Sequence, residues 1–220
     1  MRAAWVIVLS VVGCTGEPRF VAKPLPPLVV PQSPKQHELA VPELVLIRGE
    51  HLIWDVHLRG FTIGRAELSV DDQEVTSRFR TSMLASTVAS IEHDLVTTLD
   101  RGAGRAHSAI ERIVLDGKVR QFTTEFAGTT AHSFHTALGL VRAWAQPEAR
   151  AGFLHIVHAD QTFRLELSQP VVQQDTLRVE GRVISADADP ISLTIWLDAA
   201  RVPIRIEIRA DSERLTAELI

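Results

Sequence analysis

Tyrosine is absent from this chain, and cysteine occurs once in 220 residues. A single thiol excludes an internal disulfide framework and a cysteine-rich zinc site. A basic surplus is also missing. The 23 Lys and Arg stand against 27 Asp and Glu, a formal net charge of −4, whereas a nucleic-acid-binding face needs a basic excess. No apolar run reaches the about 20 residues that a helix needs to cross a bilayer. The phosphate-cradling patterns GxxxxGK and GxGxxG do not occur, nor does the GxSxG nucleophile elbow. Strands and helices do not alternate at βαβ spacing, which excludes a parallel α/β sheet. The 45% of apolar residues suffice for the core of one domain.

What is there reads mostly as strands. Leu52, Trp54, Val56 and Leu58 alternate with Ile53, Asp55, His57 and Arg59, so one face is buried. The glycines at 60 and 64 interrupt that pattern and predict a bulge or sharp bend. Ser86 to Leu99 fits either strand or helix and is taken as strand, because Val88, Ile91, Val96 and Leu99 make no clean helical face. Asp116-Gly117 between apolar runs is the strongest hairpin signal, because both turn residues must take positive φ. From Phe153 to Leu219 the same alternation recurs between short turns. Only His132 to Ala145 changes period: Phe134, Ala137, Leu138, Val141, Trp144 and Ala145 share one helical face. Ser133 can cap that helix, and Gln146-Pro147 stops it. The expected fold is mainly β, an antiparallel meander of about ten strands curled into a barrel or half-barrel, with one amphipathic helix plugging or covering it.

The single cysteine lies at a telling position. Met1-Arg2 precedes the apolar run Ala3–Val12, which fits the core of a secretory signal. Val11-Val12-Gly13-Cys14 resembles the bacterial lipobox, in which the cysteine is acylated and becomes the mature N-terminus. The resemblance implies a lipoprotein signal peptide over residues 1–13, acyl chains of the palmitate type on Cys14, and anchoring by two or three chains, each buried methylene contributing about 0.8 kcal/mol. Thr15, in place of the aspartate that retains Gram-negative lipoproteins at the inner membrane, implies the periplasmic face of the outer membrane if the source is Gram-negative. Residues 14–42 hold seven of the 11 prolines and read as a semi-rigid tether, with a reach of up to about 85 Å at about 3.1 Å per residue. A PxxP partner-binding ligand within it is the alternative. The folded domain is expected over residues 43–220.

Within that domain, WDVHLRGFTIGRAELSV, the ALGLVRAW helix, ISLTIWLDAARVPIRIEI and a final TAELI occur in an order that resembles the exported bacterial family DUF3108, a domain of unknown function. The likeness covers roughly Arg48 to Ile220. It implies export and a β-rich fold, and it implies no activity or catalytic residues.

The nine histidines carry the remaining chemistry. His132 and His135, three apart, would share a helix face and supply half of a metal site, completed by His57, His155 or His158. A metal-dependent hydrolase built on them is the alternative reading. The pair Asp55 and His57 and the trio Arg205, Glu207 and Arg209 are explained by charge pairing on solvent faces, and no carboxylate pair is nominated for hydrolysis. The leading expectation is a non-catalytic structural or binding module without a cofactor or resident metal. Its occupant would be an apolar ligand in a cavity lined by Phe134, Leu138, Val141 and Trp144, or an envelope protein, with no nucleic acid as partner. The cavity is placed nearer the Trp144 end, with Leu138 and Val141 as core.

Overall fold

The structure is a computed structural model, and it describes residues 37–41, 43–100, 104–185 and 189–220. The expected signal peptide, Cys14 and the tether up to residue 36 lie outside those residues. Fourteen strands form one sheet: β1 (His37–Glu38), β2 (His51–Leu58), β3 (Phe61–Val70), β4 (Glu74–Thr81), β5 (Ile91–Asp100), β6 (Arg105–Leu115), β7 (Lys118–Glu125), β8 (Gly152–His158), β9 (Gln161–Leu167), β10 (Val171–Gln173), β11 (Thr176–Ile184), β12 (Ile191–Leu197), β13 (Pro203–Ala210) and β14 (Glu213–Leu219). Among the described residues a single α-helix, α1 (Phe134–Trp144), lies between β7 and β8.

The order across the sheet is β1-β8-β9-β11-β12-β13-β14-β2-β3-β4-β5-β6-β7, with β10 paired to β11. Two antiparallel meanders are therefore welded where β14 pairs β2, Leu215 facing Leu58 and Leu219 facing Trp54. The sheet does not close, and it has fourteen strands where about ten were expected. The two shortest, β1 and β10, have two and three residues, too few for a period-2 pattern to register.

Local chemistry explains the turns. Asp116 and Gly117 take φ of 49° and 78°, and Arg59 and Gly60 take 51° and 85°, the left-handed pairs that tight hairpins need. Gly64 meets a different demand: a Cβ there would lie 2.3 Å from the Arg80 carbonyl oxygen and 2.8 Å from the Phe79 ring. The stretch from Ser86 departs from the expected strand. Ala85–Thr87 is a short 3-10 turn, and β5 begins only at Ile91. The hydroxyls there bond local backbone, Ser86 to the Met83 carbonyl and Thr87 to the Leu84 carbonyl, which competes with a ladder.

The helix starts where Ser133 caps it, its side chain accepting from the Thr136 amide. It is more deeply enclosed than a lid. Leu138, Leu140, Val141, Arg142 and Trp144 are all buried. One face packs against strands of the C-terminal meander, including Leu154, Leu165 and Leu167. The other is covered by the chain before β2: Val45 donates to the Gly139 carbonyl at 3.0 Å, and a Cβ on Gly139 would lie 2.9 Å from Leu46. His37 and Glu38 pair in parallel with β8, and Leu39 is buried in the main core, so the end of the expected tether is part of the folded unit.

Two charged groups lock the helix. Arg142, fully buried, forms a bidentate pair with Glu50, Nη1 to Oε2 at 2.6 Å and Nη2 to Oε1 at 2.8 Å, and its Nε donates to the Arg201 carbonyl. Arg201 in turn donates to the carbonyls of Arg142 and Ala143, satisfying groups the helix end leaves open. Among the described residues, no helix is long and apolar enough to cross a membrane.

Candidate functional site

Because β7 and β8 sit toward opposite ends of the sheet order yet are joined through α1, the sheet curls until β6 and β8 face each other across a seam. Among the described residues, no strand pairing spans it. The outer edge of β8 is met instead by Leu39, whose amide donates to the Phe153 carbonyl, and by His132, which exchanges bonds with the His155 carbonyl and the Val157 amide. The last amide of the row, Ala159, donates to Glu111 Oε2 at 2.8 Å.

Glu111 is the centre of the seam. It lies on β6 in the inward phase, between Ala109 and Ile113, all three buried. Its Oε1 accepts from His93 Nε2 of β5 at 2.6 Å and from His158 Nδ1 of β8 at 2.7 Å. The two imidazoles meet edge to face, with centroids 5.6 Å apart. Burial pushes the Glu111 carboxyl up, but the hydrogen bonds from His158 and His93 outweigh it and hold the group at about 2. These three residues are also the one cluster among the described residues with His and carboxylate donors close enough to share an ion, all within 4.8 Å.

The seam faces an interior hollow. A cavity of about 220 Å³ lies between the helix and the N-terminal meander, with Trp54, Val56, Leu68, Phe79 and Ala217 among its walls. A second, of about 90 Å³, lies between the helix and the C-terminal meander, walled by Leu165, Val183, Ile191 and Ile195 among others. Phe134, Leu138, His158, Ile206 and Ile208 line both, so the two are neighbouring compartments divided by the helix. Together they fall near the lower end of ligand-pocket size, roughly 300 Å³. The walls are apolar apart from a few groups, His93 and His158 among them.

Phe134, Leu138 and Val141 thus line the hollow, while Trp144 does not. Trp144 is buried at the clamped end of the helix, its indole nitrogen donating to the Arg150 carbonyl. The hollow sits at the Phe134 end, opposite to the end expected. Leu138 and Val141 are buried, and they are cavity wall at the same time. Cys14 lies outside the described residues.

The expected histidine pair does not assemble. His132 precedes the cap and belongs to the β8 edge, where burial lowers its pKa against the pull of Glu38. His135 is on the helix and fully buried, with Nδ1 2.9 Å from Thr97 Oγ1 and Nε2 2.9 Å from Ser77 Oγ. Both of its nitrogens are occupied, so it offers no metal ligand. His93 and Glu111 were not singled out by the sequence reading, although a signal existed: each is a polar residue in the inward phase of its strand, as His158 is behind Leu154 and Ile156.

Neither a family model nor a curated protein matches the chain. Among solved structures it is similar to a beta-barrel-like protein of domain of unknown function DUF1849 from Brucella abortus, at 12% identity, over 77% of this chain and 94% of that one, with a TM-score of 0.53. At that identity the likeness shows the fold alone: a mainly β, barrel-like architecture. It is a likeness to DUF1849 and not to DUF3108.

Proposed function

We propose that the protein is a lipid-anchored binding module of the bacterial envelope, related to DUF3108 domains, which holds an apolar ligand inside its curled sheet and performs no chemistry on it. The observation that carries the binding reading is the hollow itself: apolar walls on both sides of a helix that enters the sheet without filling it. A packed core leaves few voids larger than a water molecule. No nucleophile is hydrogen-bonded to the seam histidines among the described residues, which favours binding over catalysis. The anchor rests on Cys14 and the apolar run before it, and the outer-membrane location on Thr15.

Binding is tested by native mass spectrometry of the chain carrying Cys14→Ala, purified without detergent. Co-purified lipid or uptake of a fluorescent apolar probe is expected, and Leu138→Trp, which places bulk in both compartments, should reduce uptake at least severalfold. A ligand-free protein that takes up no probe would reject the reading. Anchoring is tested separately. Expressed in a Gram-negative host, the wild-type chain should sediment with membranes and Cys14→Ala should stay in the soluble fraction; equal partition of the two rejects the anchor.

A further inference from the structure

We infer that His158 is the recognition point for the polar head of the bound molecule, and that this head is an uncharged hydrogen-bond donor: the ligand class is a single-chain amphiphile ending in a hydroxyl. The inference rests on the cavity reading above and goes beyond it by naming which end of the ligand sits where.

The argument runs through the hydrogen-bond inventory of the seam. An ionised carboxylate only accepts. Glu111 is held ionised and accepts three times, from His93 Nε2, His158 Nδ1 and the Ala159 amide. That fixes the proton of the His158 ring on Nδ1. The other nitrogen, Nε2, is buried and has no partner among the described residues. His158 is 5% exposed and its ring is a wall of both compartments. In the neutral ring with its proton on Nδ1, Nε2 carries a bare lone pair. Nε2 is therefore a buried acceptor on a ring that walls the hollow, and what satisfies it is an O–H from the occupant. An ether or ester oxygen offers no proton, and a carboxylate would bring a second negative charge close to Glu111. Around this acceptor the walls are mostly hydrocarbon, from Phe134 and Leu138 to Ile206 and Ile208, which suits a chain better than a sugar or peptide. Glu111 is a positioning residue in this scheme: it selects the tautomer and does not touch the ligand.

The test uses isothermal titration calorimetry on the full chain with Cys14→Ala, and compares 1-decanol with methyl nonyl ether, which has the same number of heavy atoms and no donor. The alcohol should bind about tenfold or more tighter, the scale of one hydrogen bond to an otherwise unpaired buried group. Glu111→Gln lets the new amide donate to Nδ1 and moves the proton to Nε2, so the preference for alcohol should vanish while ether binding is kept. His158→Phe should do the same by removing the acceptor. Nitrogen-15 spectra of the histidines report the tautomer directly: Nε2 of His158 should be bare in the parent chain and protonated in Glu111→Gln, a change that a merely structural role would not produce. Equal binding of alcohol and ether by the parent chain overturns the head-group inference and leaves the cavity reading standing. Binding of neither removes both. Tighter binding of decanoate, or stoichiometric zinc uptake that Glu111→Gln abolishes, also overturns it, by assigning the seam to an anionic head or to a metal. If both variants prove unfolded by circular dichroism, the parent chain's alcohol-to-ether ratio and its nitrogen-15 tautomer decide alone.

Discussion

Glu50→Ala should lower stability by about 3 to 5 kcal/mol, a large part of the total for a domain of this size. The reason is what it leaves behind. Arg142 is fully buried in the last turn of the helix, and Glu50, whose side chain is 7% exposed, takes both of its terminal nitrogens. Truncation strands a guanidinium with one remaining partner, the Arg201 carbonyl. The double change Glu50→Leu with Arg142→Met should recover most of the loss, since a buried ion pair replaced by apolar groups of similar size is often neutral. Urea melts of the two variants beside the parent check this, with m values compared to confirm that all unfold to the same extent. A loss under about 1 kcal/mol for Glu50→Ala would mean that water reaches Arg142 and that the clamp is not a buried pair.

The clamp and the hollow divide the helix between them. Its C-terminal half is fixed by Glu50, Arg142 and Arg201, and its N-terminal half, from Phe134 to Leu138, borders open space.

What could be read from the sequence was whatever neighbouring residues decide. Ser133 as cap, Asp116-Gly117 as a left-handed turn, and the inward set Leu52, Trp54 and Val56 are all local matters. The barrel-like, mainly β class followed from counting such alternations. The seam was not legible in the same way. Glu111 meets His93 at a separation of 18 residues and the Ala159 amide at 48, and Arg142 meets Glu50 at 92. Nothing in a single sequence pairs them. The histidine spacing of 132 and 135 looked like a ligand pair because it was counted at helical period across the cap; with Ser133 as cap, His132 lies ahead of the helix and belongs to the β8 edge. The displaced cavity has a similar origin. A helical wheel treats Phe134 and Trp144 as equals on one face, while the clamp, invisible in periodicity, decides which end packs tightly.

The buried His135 should make stability fall steeply on mild acidification. Its imidazole is enclosed on all sides and bonded to two hydroxyls, Thr97 and Ser77. Burial pushes its pKa down to about 3; the charge of His93 adds to the shift and that of Glu111 opposes it. In the unfolded chain a histidine titrates near 6.5. Between these two values the unfolded state carries a proton that the folded state refuses, so unfolding free energy rises with pH across that window and drops as pH falls. From pH 7 to pH 5 the loss from this one group should be about 2 kcal/mol, and by pH 4 about 3 kcal/mol. Glu111 acts lower on the scale. Its folded pKa is depressed to about 2, so its stabilising contribution is present above the ordinary carboxylate range and fades only below it. The window from pH 7 to 5 therefore isolates the histidines. Among them, the change His135→Gln, which keeps a donor and an acceptor for Thr97 and Ser77, removes the His135 part alone. Its melts should show a slope of stability against pH shallower than the parent's by up to one proton. Parallel slopes for parent and variant across pH 7 to 5 would mean that this imidazole is already charged, or already wet, in the folded protein. The buried polar contact between helix and strands would then have to be redrawn.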